Sequence, residues 1–150
     1  MTANSKREQI IVAVKAELTA ISAFKSVVRR LPTKEDLENF AITQLPVIAV
    51  VAGLPKPVEH IVTRQPGAQD VFVSDLSIRL FGYFQNNKDP DTELSSHVDD
   101  IWVALYADPT KGGLTLKTTL KPEIYTDFWD PYYAFMIEAI LKYKHTTGGI

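Results

Sequence analysis

The stretch Val71–Phe84, VFVSDLSIRLFGYF, constrains the fold of this chain more than any other. It has no proline and is dominated by β-favouring side chains. Leu76, Ile78, Leu80 and Phe84 fall on one side. Asp75, Ser77 and Arg79 fall on the other, with Val71, Val73, Phe81 and Tyr83 at its ends. A period of two marks a long strand with one buried face. The remaining elements must pair with this strand or cover it.

Ser5–Arg30 is expected to form an amphipathic helix. Ile10, Ile11, Val14, Leu18, Ile21, Phe24 and Val28 recur in steps of three and four, and Leu31-Pro32 ends the run. Thr33 and Asp36 have capping-box spacing, so a short helical turn should follow with Leu37 and Phe40 inward. Pro46–Ala52 reads as a buried strand and 53–57 as a loop. Val58–Arg64 reads as a weaker edge strand, and Gln65–Asp70 as a turn. After the long strand comes a polar loop over 85–91. A second helix should then run over Glu93–Ala107, capped by Asp91 or Thr92. Its inner side carries Leu94, Val98, Ile101, Trp102 and Leu105. Asp108–Gly113 is a turn. Leu114–Lys121 alternates as a strand limited by Pro122. An irregular aromatic segment, 123–131, leads into a last strand, Tyr132–His145. That strand has Tyr133, Phe135, Ile137, Ala139, Leu141 and Tyr143 on one apolar face.

Strands grouped together with helices set apart predict an α+β fold, a mostly antiparallel sheet of four to five strands with two helices packed on one face. The 150 residues suit one domain, with the ends, about 1–5 and 146–150, expected to be flexible. The long strand should lie under the helices, against Leu18, Ile21, Ile101 and Leu105. Strands of about a dozen residues reach roughly 40 Å. That is long for so small a domain, and points to projection toward a neighbouring subunit.

Composition removes several function classes. The net charge is −2 with no basic cluster, which gives nucleic acid no electrostatic footprint. The chain contains no cysteine, so disulfides, thiol nucleophiles and thiolate metal sites are all excluded. The polar start MTANSKREQ does not read as a signal peptide, and no apolar run approaches the roughly 20 residues that span a bilayer. Folding in a cytoplasm is expected.

No motif predicts catalysis. His60, His97 and His145 lack metal-like spacing and read as surface residues. Asp99 and Asp100 are adjacent on a helix, about 100° apart, and suit a solvated face with Glu93. Asp89-Pro-Asp91 lacks the glycine and glutamate of a calcium loop and suits a cap. Lys111-Gly-Gly113 lacks phosphate-loop spacing and precedes a strand, so its glycines suit positive-φ turn positions. Tyr125, Phe128, Trp129, Tyr132 and Tyr133 could stack bases, but no Lys or Arg interleaves them; core or subunit contact fits better. No catalytic, cofactor or metal residue is assigned.

The order of elements does resemble a known family. An amphipathic N-terminal helix leads to LPVIAVVA (Leu45–Ala52), then SDLSIRLFGYF (Ser74–Phe84). HVDDIWVALYADPTKGGL (His97–Leu114) and YYAFMIEAILKYK (Tyr132–Lys144) follow. This resembles the tail terminator, or tail completion, proteins of long-tailed bacteriophages, the minor tail protein U-like group. The likeness covers about residues 8 to 145 and is most telling at Ile101–Leu114, where a helix runs into a small-residue turn with paired glycines. Gly53–Asp70 and 123–133 match nothing in the family. The resemblance implies a non-enzymatic structural protein of the virion. It would form a hexameric ring that caps the head-proximal end of the tail tube and stops polymerisation. Its partners would be itself, the tail tube protein and a head-completion or neck protein, with DNA passing through the hole unbound. A ring needs a heterologous interface. Candidates for it are Val71, Val73, Phe81, Tyr83, Met136 and Ile140. Loop residues Leu54, Lys56, Asn86, Lys88 and Asp89 are candidates for partner contact. Competing readings are another neck, head-closure or tube protein, a small oligomeric binding domain of cellular origin, and an enzyme with a non-obvious site.

Overall fold

The computed structural model describes residues 5–39, 45–62, 70–86 and 88–146. Phe40, the 65–69 part of the expected turn and the last four residues lie outside them. The described elements, in chain order, are α1 (Lys6–Thr19), β1 (Ser26–Val28), α2 (Lys34–Asn39), β2 (Val47–Ala52), β3 (Lys56–Ile61), β4 (Val71–Phe84), α3 (Pro90–Ala107), β5 (Lys117–Trp129) and β6 (Tyr132–Thr146). The fold is α+β, with one open, mostly antiparallel sheet ordered β1-β2-β4-β6-β5 and β3 beside the first half of β4. The sheet has six strands, where four to five were expected, and only β1 with β2 is parallel.

β4 occupies the residues its period-two pattern predicts, and it is the sheet's spine. It pairs with β6 without interruption from Val71↔Thr146 to Phe84↔Tyr133. On its other side β2 takes the second half and β3 the first. Leu76, Ile78, Leu80 and Phe84 lie in one buried cluster with Ile10, Ile11, Val14 and Leu18 of α1, Ile101 and Leu105 of α3, and Phe135–Tyr143 alternates of β6. Ile21 packs at its margin. α1 and α3 therefore share one face, as expected.

Several boundaries moved. α1 stops at Thr19, not Arg30. Ile21 and Phe24 still turn into the core, but the β-branched pair Val27-Val28 leaves the helix to pair beside β2. The chain doubles back far enough for Arg29 to bond Glu8 on α1, which holds the Glu8 carboxyl below its usual range. α2 has the predicted capping box: the Asp36 amide donates to Thr33 Oγ1 at 3.1 Å, and the Thr33 amide donates to Asp36 Oδ2 at 3.0 Å. That hydrogen bonding holds the Asp36 carboxyl low.

α3 begins at Pro90 with Asp89 as N-cap, two to three residues before the Asp91 or Thr92 cap expected. Proline at a helix start loses no hydrogen bond, so the helix can begin there. β5 runs through Pro122 to Trp129, absorbing the segment expected to be irregular. The register shift between Leu120 and Ile124 takes up the proline on a strand whose outer edge needs no donor.

Candidate functional site

The second face of the sheet is where the chain leaves itself uncovered. It is built from the alternate residues of the same strands. α2 crosses to this face and covers one end. Leu37, Leu45, Val47, Tyr83 and Tyr132 form a small separate core there, with Phe81, Trp129 and Ala134 packed against it. The Tyr132 hydroxyl donates to the Leu37 carbonyl at 3.1 Å, and Trp129 stacks tilted on Tyr83 at 5.8 Å between centroids. Burial raises the Tyr83 hydroxyl above its ordinary pKa.

Beside this small core lies a cleft of about 260 Å³, with Leu31, Phe81, Tyr125, Trp129 and Met136 among its walls. Its lining is mostly apolar. Beyond it the face turns polar around Glu138. Glu138 Oε2 meets the Lys121 ammonium at 2.6 Å, Oε1 accepts from Ser77 Oγ at 2.7 Å, and Arg79 stands 3.8 Å away. Lys121 and then Ser77 hold the Glu138 carboxyl below its usual range. Further along, Asp75 pairs in register with Lys142, and Lys142 with Lys117.

The structure divides the six residues expected to meet another subunit. Val73 and Tyr83 are 4% and 3% exposed, covered by their own chain, so they have almost no surface to give to another. The period-two pattern placed Tyr83 on this face correctly but could not show α2 arriving over it. Phe81, Met136, Ile140 and Val71 are half-buried. The sequence reading missed Leu31, 44% exposed, and Tyr125, 57% exposed, as walls of the cleft. The expected irregular course of 123–131 hid Tyr125.

The loop candidates also separate. Leu54 is 83% exposed. Lys56 belongs to β3, not to a loop. Asn86 shapes its own turn, its side-chain oxygen accepting from the amides of Lys88 and Asp89 at 2.8 and 2.9 Å. Lys88 and Asp89 are exposed.

The chemistry considered from sequence resolves residue by residue. His97, expected on the surface, is buried among Phe24, Phe84 and Phe135 with Glu93 at 3.4 Å. The helix turns about 100° per residue, which puts position 97 on the buried stripe with Ile101. Burial lowers its pKa, and Glu93 opposes that. His60 is exposed, bonded to Asp70 at 3.0 Å and stacked on Phe72. His145 Nε2 lies 2.7 Å from Ser74 Oγ, the spacing of a nucleophile and its base. Ser74 has no exposed surface, so a substrate carbonyl has no approach to it.

Lys111, set beside glycines, is not offered to a phosphate. Its ammonium is buried, donating to the carbonyls of Leu105 at 2.6 Å and Asp108 at 2.9 Å, and paired with Glu17 at 2.9 Å. It caps the end of α3 and ties it to α1. Burial raises the Glu17 carboxyl, with Lys111 opposing. Gly112 and Gly113 take positive φ, as the turn requires. Among the described residues no group of three or more His, Asp or Glu is placed to hold a metal ion, and no helix is long and apolar enough to cross a membrane.

No protein-family model matches the chain, and no curated protein shows significant similarity to it.

Proposed function

We propose that this chain is a structural virion protein, a tail terminator that assembles as a ring on the head-proximal end of a phage tail tube. The observation that carries this reading is the open second face of the sheet. Its apolar cleft at Phe81, Tyr125 and Met136 is left bare by a chain that covers its other face with two helices. Bare apolar surface supports a contact with another protein. The resemblance in element order, strongest over Ile101–Leu114, supplies the kind of assembly. The ring would stop tube growth and receive the head-completion or neck protein through exposed residues such as Leu54, Lys88 and Asp89. DNA would pass through the hole, and a net charge of −2 suits a pore that must not hold it.

Electron microscopy tests the proposal twice. The purified protein should form rings of about six subunits, the number the family resemblance implies. Tails assembled without it should overrun their normal length. Tails of normal length that join heads in its absence would overturn the reading.

A further inference from the structure

We propose that the sheet continues from one copy of this protein to the next, the β1 edge of one protomer pairing with the β5 edge of its neighbour. This rests on the self-assembly proposed above and says where the contact lies.

β1 and β5 end the main path of the sheet, and neither has a strand on its outer side among the described residues. Such an edge presents unpaired amides and carbonyls. Natural edges are blunted by proline, lysine or a bulge. β5 has all three at Lys121, Pro122 and the register shift, but Ile124–Trp129 has none of them, and of its amides Phe128 alone is given a side-chain acceptor, the carboxylate of Asp127. Every residue from Lys121 to Phe128 is exposed. β3, the other exposed strand, is guarded by Pro57 and its own register shift.

A groove runs between this bare edge and α3. Two adjoining hollows, about 290 and 270 Å³, share Leu94 and Thr126 as walls. The floor is apolar, with Phe84, Val98, Ile124 and Phe128. Among the described residues its charged walls are Asp91 and Asp99, with no lysine or arginine, while the Asp127 carboxylate turns to the Trp129 indole and the Phe128 amide. An extended apolar strand with cationic flanks fits this groove.

The opposite edge of the same sheet has that chemistry. β1 is already extended, and Lys25, Arg29 and Arg30 flank it. Alternation puts Lys25 and Arg29 on the face of α1 and α3, and Arg30 on the other. Arg29 reaches Glu8 of α1 and Arg30 reaches Asp36 of α2, in keeping with those faces. A neighbour's β1 laid along β5 sets Lys25 and Arg29 over Asp91 and Asp99. Pairing β5 with a second β5 would instead bring two acidic grooves together, which like charge opposes. Unlike edges also give a head-to-tail contact, the kind that closes into a ring.

The absence of cysteine makes the test clean. Lys25 and Thr126 are exposed and lie on the same face. Lys25→Cys and Thr126→Cys proteins should each give no dimer on oxidation, whereas an equal mixture should give one. The double variant should give a ladder of crosslinked species. A register-independent measurement accompanies this. Asp99→Lys and Lys25→Glu should each raise the concentration needed for assembly about tenfold, and their combination should return it toward the starting value. Thermal melts confirm that the variants fold. A dimer from Thr126→Cys alone, or charge effects that add instead of cancelling, overturns the proposal. If rings persist without a crosslink or a charge effect, the edges are not the contact and the terminator reading stands. A wild-type protein monomeric at every concentration also overturns the edge contact, and the tail-length assay then decides the terminator reading by itself.

Discussion

The helix-covered face and the open face of the sheet share every long strand and differ only in which alternate residues they present. On the covered face Leu76, Ile78 and Leu80 are fully buried under two helices. On the open face their neighbours Ser77 and Arg79 reach Glu138, Asp75 stands in register with Lys142, and Phe81 lines a cleft. The covered face is specified by the chain alone. The open face is apolar at one end and charged beyond it, the asymmetry on which the proposed contact with another protein rests. One strand thus carries two different obligations on a two-residue period.

The largest expected effect is on the covered face. Leu80→Ala should cost about 3 kcal/mol in denaturant unfolding, because the cavity it leaves is walled by packed neighbours. A loss below about 1 kcal/mol would mean that this face is less tightly packed than its burial implies.

Gly82→Ala follows, at about 1–3 kcal/mol. A Cβ at Gly82 would stand 2.1 Å from the Phe135 ring, so the covered face closes directly onto the backbone there. Phe135→Leu in the same chain should recover part of the loss, since it frees the space the methyl needs. Next is Lys111→Ala, about 2 kcal/mol, which strips donors from two carbonyls at the end of α3 and leaves Glu17 half-buried without its cation. Neither change should alter assembly except through stability.

Acid provides a smaller test of the covered face. The folded state holds His97 neutral by burial, so its pKa lies below the unfolded value of about 6.5. The unfolded chain therefore binds the proton first. Stability should be intact above about pH 6.5 and decline as pH falls below it, by at most about 1.4 kcal/mol per pH unit for this one group. His97→Leu should flatten that part of the profile, seen by melting across pH. An unchanged slope would assign the acid sensitivity elsewhere. The smallest expected effect is on the open face: Phe81→Ala should cost about 1 kcal/mol in the isolated chain yet weaken attachment to the tail tube. If it costs as much as Leu80→Ala, the distinction between the faces is wrong.

What was legible in the sequence was the periodic part. β4, β6 and the inner side of α3 follow from spacing alone, because burial on one face imposes a period that composition cannot hide. The capping box at Thr33 and the glycines of the 108–113 turn were equally readable, each being a local hydrogen-bond or φ requirement. Three features were not. The end of α1 was masked because Ile21, Phe24 and Val28 keep helical spacing by coincidence while serving a turn and a strand. β5 was cut short because Pro122 reads as a stop, although an edge strand with a bulge tolerates it. α2 over Tyr83 depends on where a chain reversal carries the helix, and no local pattern encodes that. The same gap explains why Tyr83 is covered on the open face while Phe81 and Met136 retain surface.

The unbroken pairing of β4 with β6 also has a mechanical meaning. From Val71↔Thr146 to Phe84↔Tyr133 the two strands run side by side with no shift in register. Tension applied along their common axis, in opposite directions, loads this whole ladder in shear, so its hydrogen bonds must give way together. β5 and β6 are joined across a register shift and would part there first. A chain built this way is a stiff tie along β4 and a compliant one along β5. Force spectroscopy with handles at the two ends of the β4–β6 pair would read that difference as direction-dependent strength.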